Sequence, residues 1–149
     1  MIRDPRISQD SRMNDQRTPF LPKKAAEKIY EELIYCLSFG LEYRNRVIEL
    51  LEQGVNVNLA NETGLTPLMI AAKNGNTEFV ELLLPKVTNI NQANNQGATA
   101  LMYAAKNGHE KVVEILLAAG ADKDQADKNG STALMYAAHN SHEKVVEIL

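Results

Sequence analysis

Tryptophan is absent from this chain of 149 residues, and aromatic side chains make up only 5% of it. So few rings argue against a β-sandwich and suit helices packed through leucine and alanine. Cysteine occurs once, at Cys36, so no disulfide framework exists within the chain, and a reducing, cytoplasmic setting is the simplest expectation. Long apolar runs are missing too: nothing approaches a membrane span, and residues 1–22 lack the apolar centre of a signal peptide. Neither sign of charge dominates, with 16 basic against 19 acidic residues and a formal net charge of −3. That balance gives no reason to expect nucleic acid as a partner.

Catalytic and metal-binding constellations are equally scarce. Cys36 lies in an apolar helical run and reads as a buried, inert thiol. His139 and His142 stand three apart without a third ligand, and no acid–base pair stands out from the solvated charges. The glycines sit singly in turns and form no phosphate-binding loop. Asn61-Glu62-Thr63 and Asn129-Gly130-Ser131 match the glycan-acceptor pattern, but with no export signal the match is coincidental. The expectation is no enzyme, no cofactor, no metal and no membrane contact.

What the chain does have is a period. Gly64, Gly97 and Gly130 recur every 33 residues, each within the same phrase: Asn61 to Leu68, Asn94 to Leu101, Asp127 to Leu134. Ala71-Ala72 returns as Ala104-Ala105 and Ala137-Ala138, and Phe79-Val80 as Val112-Val113 and Val145-Val146. Self-similarity of this length means stacked supersecondary units. Each unit reads physically. Asn or Asp with Gly three residues on is turn chemistry. Thr66, Thr99 and Thr132 then offer hydroxyls to cap a helix, and Pro67 fits the first helical position. The first helix runs from Pro67 to about Lys73 and stops at Asn74-Gly75, as its copy stops at Asn107-Gly108. A second helix, Thr77–Leu84 and its copies, shows Val80, Leu83 and Leu84 at helical spacing.

These phrases resemble the ankyrin repeat, whose D-x-x-G-x-T-P-L-H-x-A-A-x-x-G-H pattern is nearly complete in Asn61–Asn76, Asn94–His109 and Asp127–His142. The resemblance covers roughly Val47 to Leu149 and implies an all-α, ankyrin-type repeat solenoid of helix-turn-helix units joined by β-turn loops. The chain departs from the family in several places. Met69, Met102 and Met135 replace the usual His after Leu; Pro85 and Val87 stand where the next unit has Ala118 and Gly120; Ser141 replaces the helix-ending Gly. His109 and His142 keep the family's second His, which implies a structural role holding the loop between helices.

The expected organisation is a flexible polar leader over 1–22, a helical N-terminal cap or divergent first repeat over 23–60, repeats over 61–93 and 94–126, and a truncated repeat over 127–149. The leader's arginines allow an organelle-targeting reading that its interleaved acids oppose. In the cap, Ala26, Ile29, Tyr30, Leu33, Ile34 and Leu37 predict a helix over Lys23–Phe39, with a partner over Glu42–Glu52. The last unit copies an internal one. An apolar edge built from Leu134, Val145, Val146, Ile148 and Leu149 is therefore expected, to be covered by further repeats or by self-association, unless the last helix frays.

Carried over by position, the resemblance implies a concave face that binds another protein. Its turn tips are Glu62, Thr63 and Leu65; Asn95, Gln96 and Ala98; Lys128, Asn129 and Ser131. Its helix ends are Lys73 and Asn74, Lys106 and Asn107, His139 and Asn140. These positions differ between units while the framework does not. Met69, Met102 and Met135 with Ile70, Tyr103 and Tyr136 form a second ladder, read first as packing and second as groove floor. The functional expectation is a scaffold or adaptor module. The alternative is the targeting part of a longer enzyme or secreted effector, active in a host cytosol, whose active domain lies beyond Leu149.

Overall fold

A computed structural model describes residues 23–149; the expected leader, residues 1–22, lies outside the described residues. Helix α1, Lys23–Phe39, ends at Gly40, and a 3-10 turn over Leu41–Tyr43 leads into α2, Arg44–Glu52. The expected start of α2 at Glu42 is thus taken by the tighter turn. Arg46 on α2 clasps Glu32 of α1, with Nη2 to Oε1 at 2.9 Å, and that guanidinium holds the Glu32 carboxyl below its ordinary range. The pair is only partly buried, so solvent screens it and it orients the two helices more than it stabilises them.

Three further helix pairs follow: α3 (Pro67–Asn74) with α4 (Thr77–Leu83), α5 (Ala100–Lys106) with α6 (Glu110–Ala118), and α7 (Ala133–His139) with α8 (Glu143–Ile148). Among the described residues there is no strand. Each inner helix starts at the threonine that the repeat predicts: Oγ1 of Thr66, Thr99 and Thr132 accepts from the N–H of Met69, Met102 and Met135, each at 3.3 Å. At the first of these caps the Thr66 N–H also reaches Met69 Sδ at 3.5 Å, a weak acceptor at the position of the family's His. Helix α4 stops at Leu83, one residue short of the prediction. Pro85 has no N–H to extend the ladder, and Leu84–Lys86 tightens into a 3-10 turn before Val87 extends. In the next unit α6 runs on to Ala118 instead.

Helices α1, α3, α5 and α7 pack side by side as an inner row, with α4, α6 and α8 stacked behind. The alanine pairs explain the close inner spacing: Ala71, Ala72, Ala104 and Ala105 are completely buried. Leu33, Leu37, Val47, Leu50, Phe79, Val80, Leu83, Val112, Val113 and Leu116 fill the space between rows as one continuous core. Burying a side chain of this size stabilises by roughly 1.5–3 kcal/mol, so the stack rests mainly on these contacts. Tyr30 joins the first pair to the next unit, its phenol 3.2 Å from both the Leu59 and Leu65 carbonyl oxygens. Burial pushes that phenol above its ordinary pKa.

Candidate binding face

Three turn tips project beyond the inner helices, and one side chain builds each. The Asn61 Oδ1 accepts from the N–H groups of Thr63 and Leu65 at 3.0 and 2.9 Å. Asn94 does the same for Gln96 and Ala98, both at 2.9 Å, and Asp127 for Asn129 and Ser131, both at 2.9 Å. The tips are then laced together. The Asn95 N–H donates to the Thr63 carbonyl and the Lys128 N–H to the Gln96 carbonyl, both at 3.0 Å. A Cβ on Gly64 would lie 2.7 Å from the Asn95 nitrogen, so glycine at this position is what lets the next tip approach.

Of the residues expected on this face, Glu62, Lys73, Gln96, Lys106, Lys128, Asn129 and His139 are exposed; Leu65, Ala98 and Ser131 are half-buried at the base of the tips. The other five are exposed, but their side chains are already engaged. Asn95 Nδ2 donates to the Glu62 carbonyl at 2.8 Å and Asn140 Nδ2 to the Lys106 carbonyl at 3.1 Å. Asn74 Nδ2 reaches the Leu37 carbonyl at 3.4 Å, and Asn107 Nδ2 caps its own helix through the Tyr103 carbonyl at 2.9 Å. Thr63 Oγ1 donates to Asn61 Oδ1 at 2.8 Å. These five stitch the scaffold as well as lying on its surface.

Between the second and third tips and the inner helices lies a depression of about 260 Å³, lined by Gln96, Tyr103, Lys106, Asp127, Asn129 and Tyr136 among others. Its two tyrosines are equivalent by position and opposite in polarity. Asn94 Nδ2 donates to the Tyr103 oxygen at 2.8 Å, whereas the Tyr136 hydroxyl donates to Asp127 Oδ2. That hydroxyl, with the Ser131 and Asn129 N–H groups, holds the Asp127 carboxyl below its usual range, and the carboxylate raises the Tyr136 phenol in return. Lys106 Nζ sits 5.6 Å from the Tyr136 ring centre, within cation–π reach. The sequence reading placed the tyrosines second as groove floor and saw Asn94 and Asp127 only as turn formers. The pairing's one sequence signal is the shared spacing from turn residue to tyrosine; in the first unit Ile70 stands at the tyrosine position, so no such hydroxyl exists there. Near the first tip a wider depression, about 740 Å³, is lined by Glu27, Tyr30, Glu31, Asn61, Glu62 and Thr63. The face therefore runs from acidic beside α1 to lysine-bearing at Lys73, Lys106 and Lys128.

His109 and His142 hold the loops, but across units. Each Nε2 faces a carbonyl of the preceding inner helix, Lys73 at 2.8 Å and Lys106 at 2.9 Å, so Nε2 carries the proton. Cys36 is buried, which raises its thiol pKa and keeps it protonated. Among the described residues no His, Cys, Asp and Glu side chains gather in a group able to hold a metal, and no helix is long and apolar enough to cross a membrane.

Comparison with known proteins agrees with this geometry. A 73-residue stretch is 38% identical to the mouse (Mus musculus) ankyrin repeat and SAM domain-containing protein 6, covering 48% of this chain and 8% of that protein. The chain thus spans a small fraction of that relative's length. The family model for ankyrin repeats in three copies matches residues 33–127, and the single ankyrin repeat model matches residues 129–149. With the period, the threonine caps, the alanine pairs and the laced tips all in place, the chain belongs to the ankyrin repeat family, whose members are in general protein-interaction modules.

Proposed function

We propose that this chain is a non-catalytic scaffold or adaptor, acting in a reducing compartment such as the cytoplasm, that binds a partner protein through the face made by its turn tips and inner helices. One observation carries the reading: the framework positions repeat almost unchanged, while the exposed positions set on them change from unit to unit. Glu62, Asn95 and Lys128 share one place, and Lys73, Lys106 and His139 another. The tips are tied by backbone hydrogen bonds before any partner arrives, which keeps the ordering cost of binding low. The acidic end beside α1 and the lysines beyond it favour a partner of complementary charge docked in one orientation. In the depression, Tyr103 and Tyr136 supply the rigid amphipathic surface that dominates binding energy elsewhere.

The test compares proteins retained from a lysate by three baits. Lys73, Gln96 and Lys106 changed together to Glu should lose a partner that wild type retains, with the thermal midpoint nearly unchanged, since all three side chains are exposed. Charge reversal at Lys111, Glu114 and Lys144, on α6 and α8, should keep it. If the outer-row variant loses the partner and the tip-face variant retains it, the binding face is the other one.

A further inference from the structure

In the depression between the second and third tips, two donors on α5 find no acceptor among the described residues. The Tyr103 oxygen receives its hydrogen bond from Asn94, which leaves the Tyr103 proton to be given. Lys106 follows three residues later on the same face of α5, is exposed, and pairs with no carboxylate among the described residues. The acceptors around them are already engaged. Asp127 Oδ1 accepts from the Asn129 and Ser131 N–H groups, each at 2.9 Å, and Oδ2 accepts from the Tyr136 hydroxyl. Asn94 Oδ1 likewise accepts two backbone N–H groups. A phenolic proton and a cation therefore stand together on this floor, and both call for an anionic acceptor.

The opposite occupant, a cation, has only Asp127 to draw it. That carboxylate is held by three hydrogen bonds, and the Lys106 ammonium group lies 5.6 Å from the ring centre of its tyrosine, so a second cation would enter against the first. The combination is particular to this junction. One unit earlier Lys73 stands at the position of Lys106, but Ile70 replaces Tyr103, so no phenolic proton accompanies that lysine. The rim tells what carries the anion. Gln96 on the second tip and Asn129 on the third are both exposed and both line the depression. Their carboxamides can bond peptide groups on either side of the anion, which fits a side chain on a continuing segment better than a chain terminus or a free phosphate.

We propose that this depression anchors an acidic side chain, Asp or Glu, from an extended segment of the partner protein, with its carboxylate accepting the Tyr103 proton and pairing with Lys106. The assignment rests on the reading that the tip face binds a protein, and it narrows that reading to one anchor of stated chemistry.

The probe is a library of random linear peptides displayed on phage and selected on the wild-type protein. Peptides that wild type holds and a Gln96→Trp, Asn129→Trp variant does not are the tip-face binders, since that variant obstructs both rims without changing charge. They should share an Asp or Glu at one position, and replacing that acid with its amide should weaken binding about tenfold. Tyr103→Phe should weaken the acidic peptide about tenfold and Lys106→Met about threefold, while neither weakens the amide version further. Asp127→Asn should tighten the acidic peptide, and Lys111→Met, in the outer row, should leave its Kd unchanged. Tyr103→Phe also strips Asn94 of its acceptor; equal weakening of the acidic and amide peptides would make its effect structural and overturn the proposal. Acidic peptides indifferent to both α5 substitutions would overturn it too. Tip-face peptides that share a basic residue and weaken with Asp127→Asn would make the occupant a cation, which overturns the proposal and leaves the tip-face reading standing. A library without any tip-face binder would overturn both.

Discussion

At residue scale the groove turns on where single protons sit. Tyr103 accepts from Asn94 and leaves its own hydroxyl proton free to donate, while Tyr136 keeps its proton but commits it to a hydrogen bond with Asp127. The first can donate to an incoming carbonyl; the second offers its ring and the carboxylate behind it. Asp127→Asn would make the two units alike and leaves a pH signature. The Asp127 carboxyl is held below its ordinary value in the folded state, so its contribution is present above the unfolded pKa, about 3.9, and is lost as pH falls through the folded one. Urea midpoints measured from pH 7 downward should therefore fall more steeply for wild type than for Asp127→Asn below about pH 4. The two should lie close together at pH 7, because Asn94 fills the same place in its own unit; parallel curves throughout would show that the Tyr136 contact confers no coupling. Little of this was legible in the sequence. Turn chemistry identifies Asn94 and Asp127, but whether a tyrosine nine residues on reaches back depends on the helix's rotation against the tip.

Among elements, equal sequence carries unequal energy. Leu101 and Leu134 stand in identical phrases, yet one is sealed between two inner helices and the other has a neighbour on one side only. Leu101→Ala should cost about 2–5 kcal/mol and Leu68→Ala a similar amount, whereas Leu134→Ala should cost about 1 kcal/mol or less. Denaturant midpoints at constant m-value check the three together; a Leu134→Ala loss as large as that of Leu101→Ala would mean that the last face is covered. Helix bounds were readable where a side chain dictates them, as with the threonine caps, Pro67 and Gly40. They were misjudged where the chain tightens into 3-10 turns: Leu41–Tyr43 takes the expected start of α2, and α4 stops a residue early ahead of Pro85, which cannot extend its ladder. The packing role of the alanine pairs was plain from spacing alone.

For the whole molecule, stability is a sum of units and the junctions between them, so regions with one neighbour should open first. Hydrogen exchange should find the amides of Val146–Leu149 exchanging well ahead of those of Val113–Leu116; equal protection would show that the terminal pair is as firmly held as the interior. Period and composition were enough to infer the repeat stack, because each unit states its own turn, cap and helix. How neighbouring units are joined was less legible, since a side chain such as Asn95 looks the same on paper whether it faces solvent or stitches two tips. The joins also have a direction. At the tips and at the histidines the later unit brings the N–H and the earlier one the carbonyl, as in Asn95 to Thr63, Lys128 to Gln96, His109 to Lys73 and His142 to Lys106. At these four joins the earlier unit thus offers carbonyl acceptors toward the amides and imidazoles of the unit that follows it in the chain, so that the stack has a polarity running from its first repeat to its last.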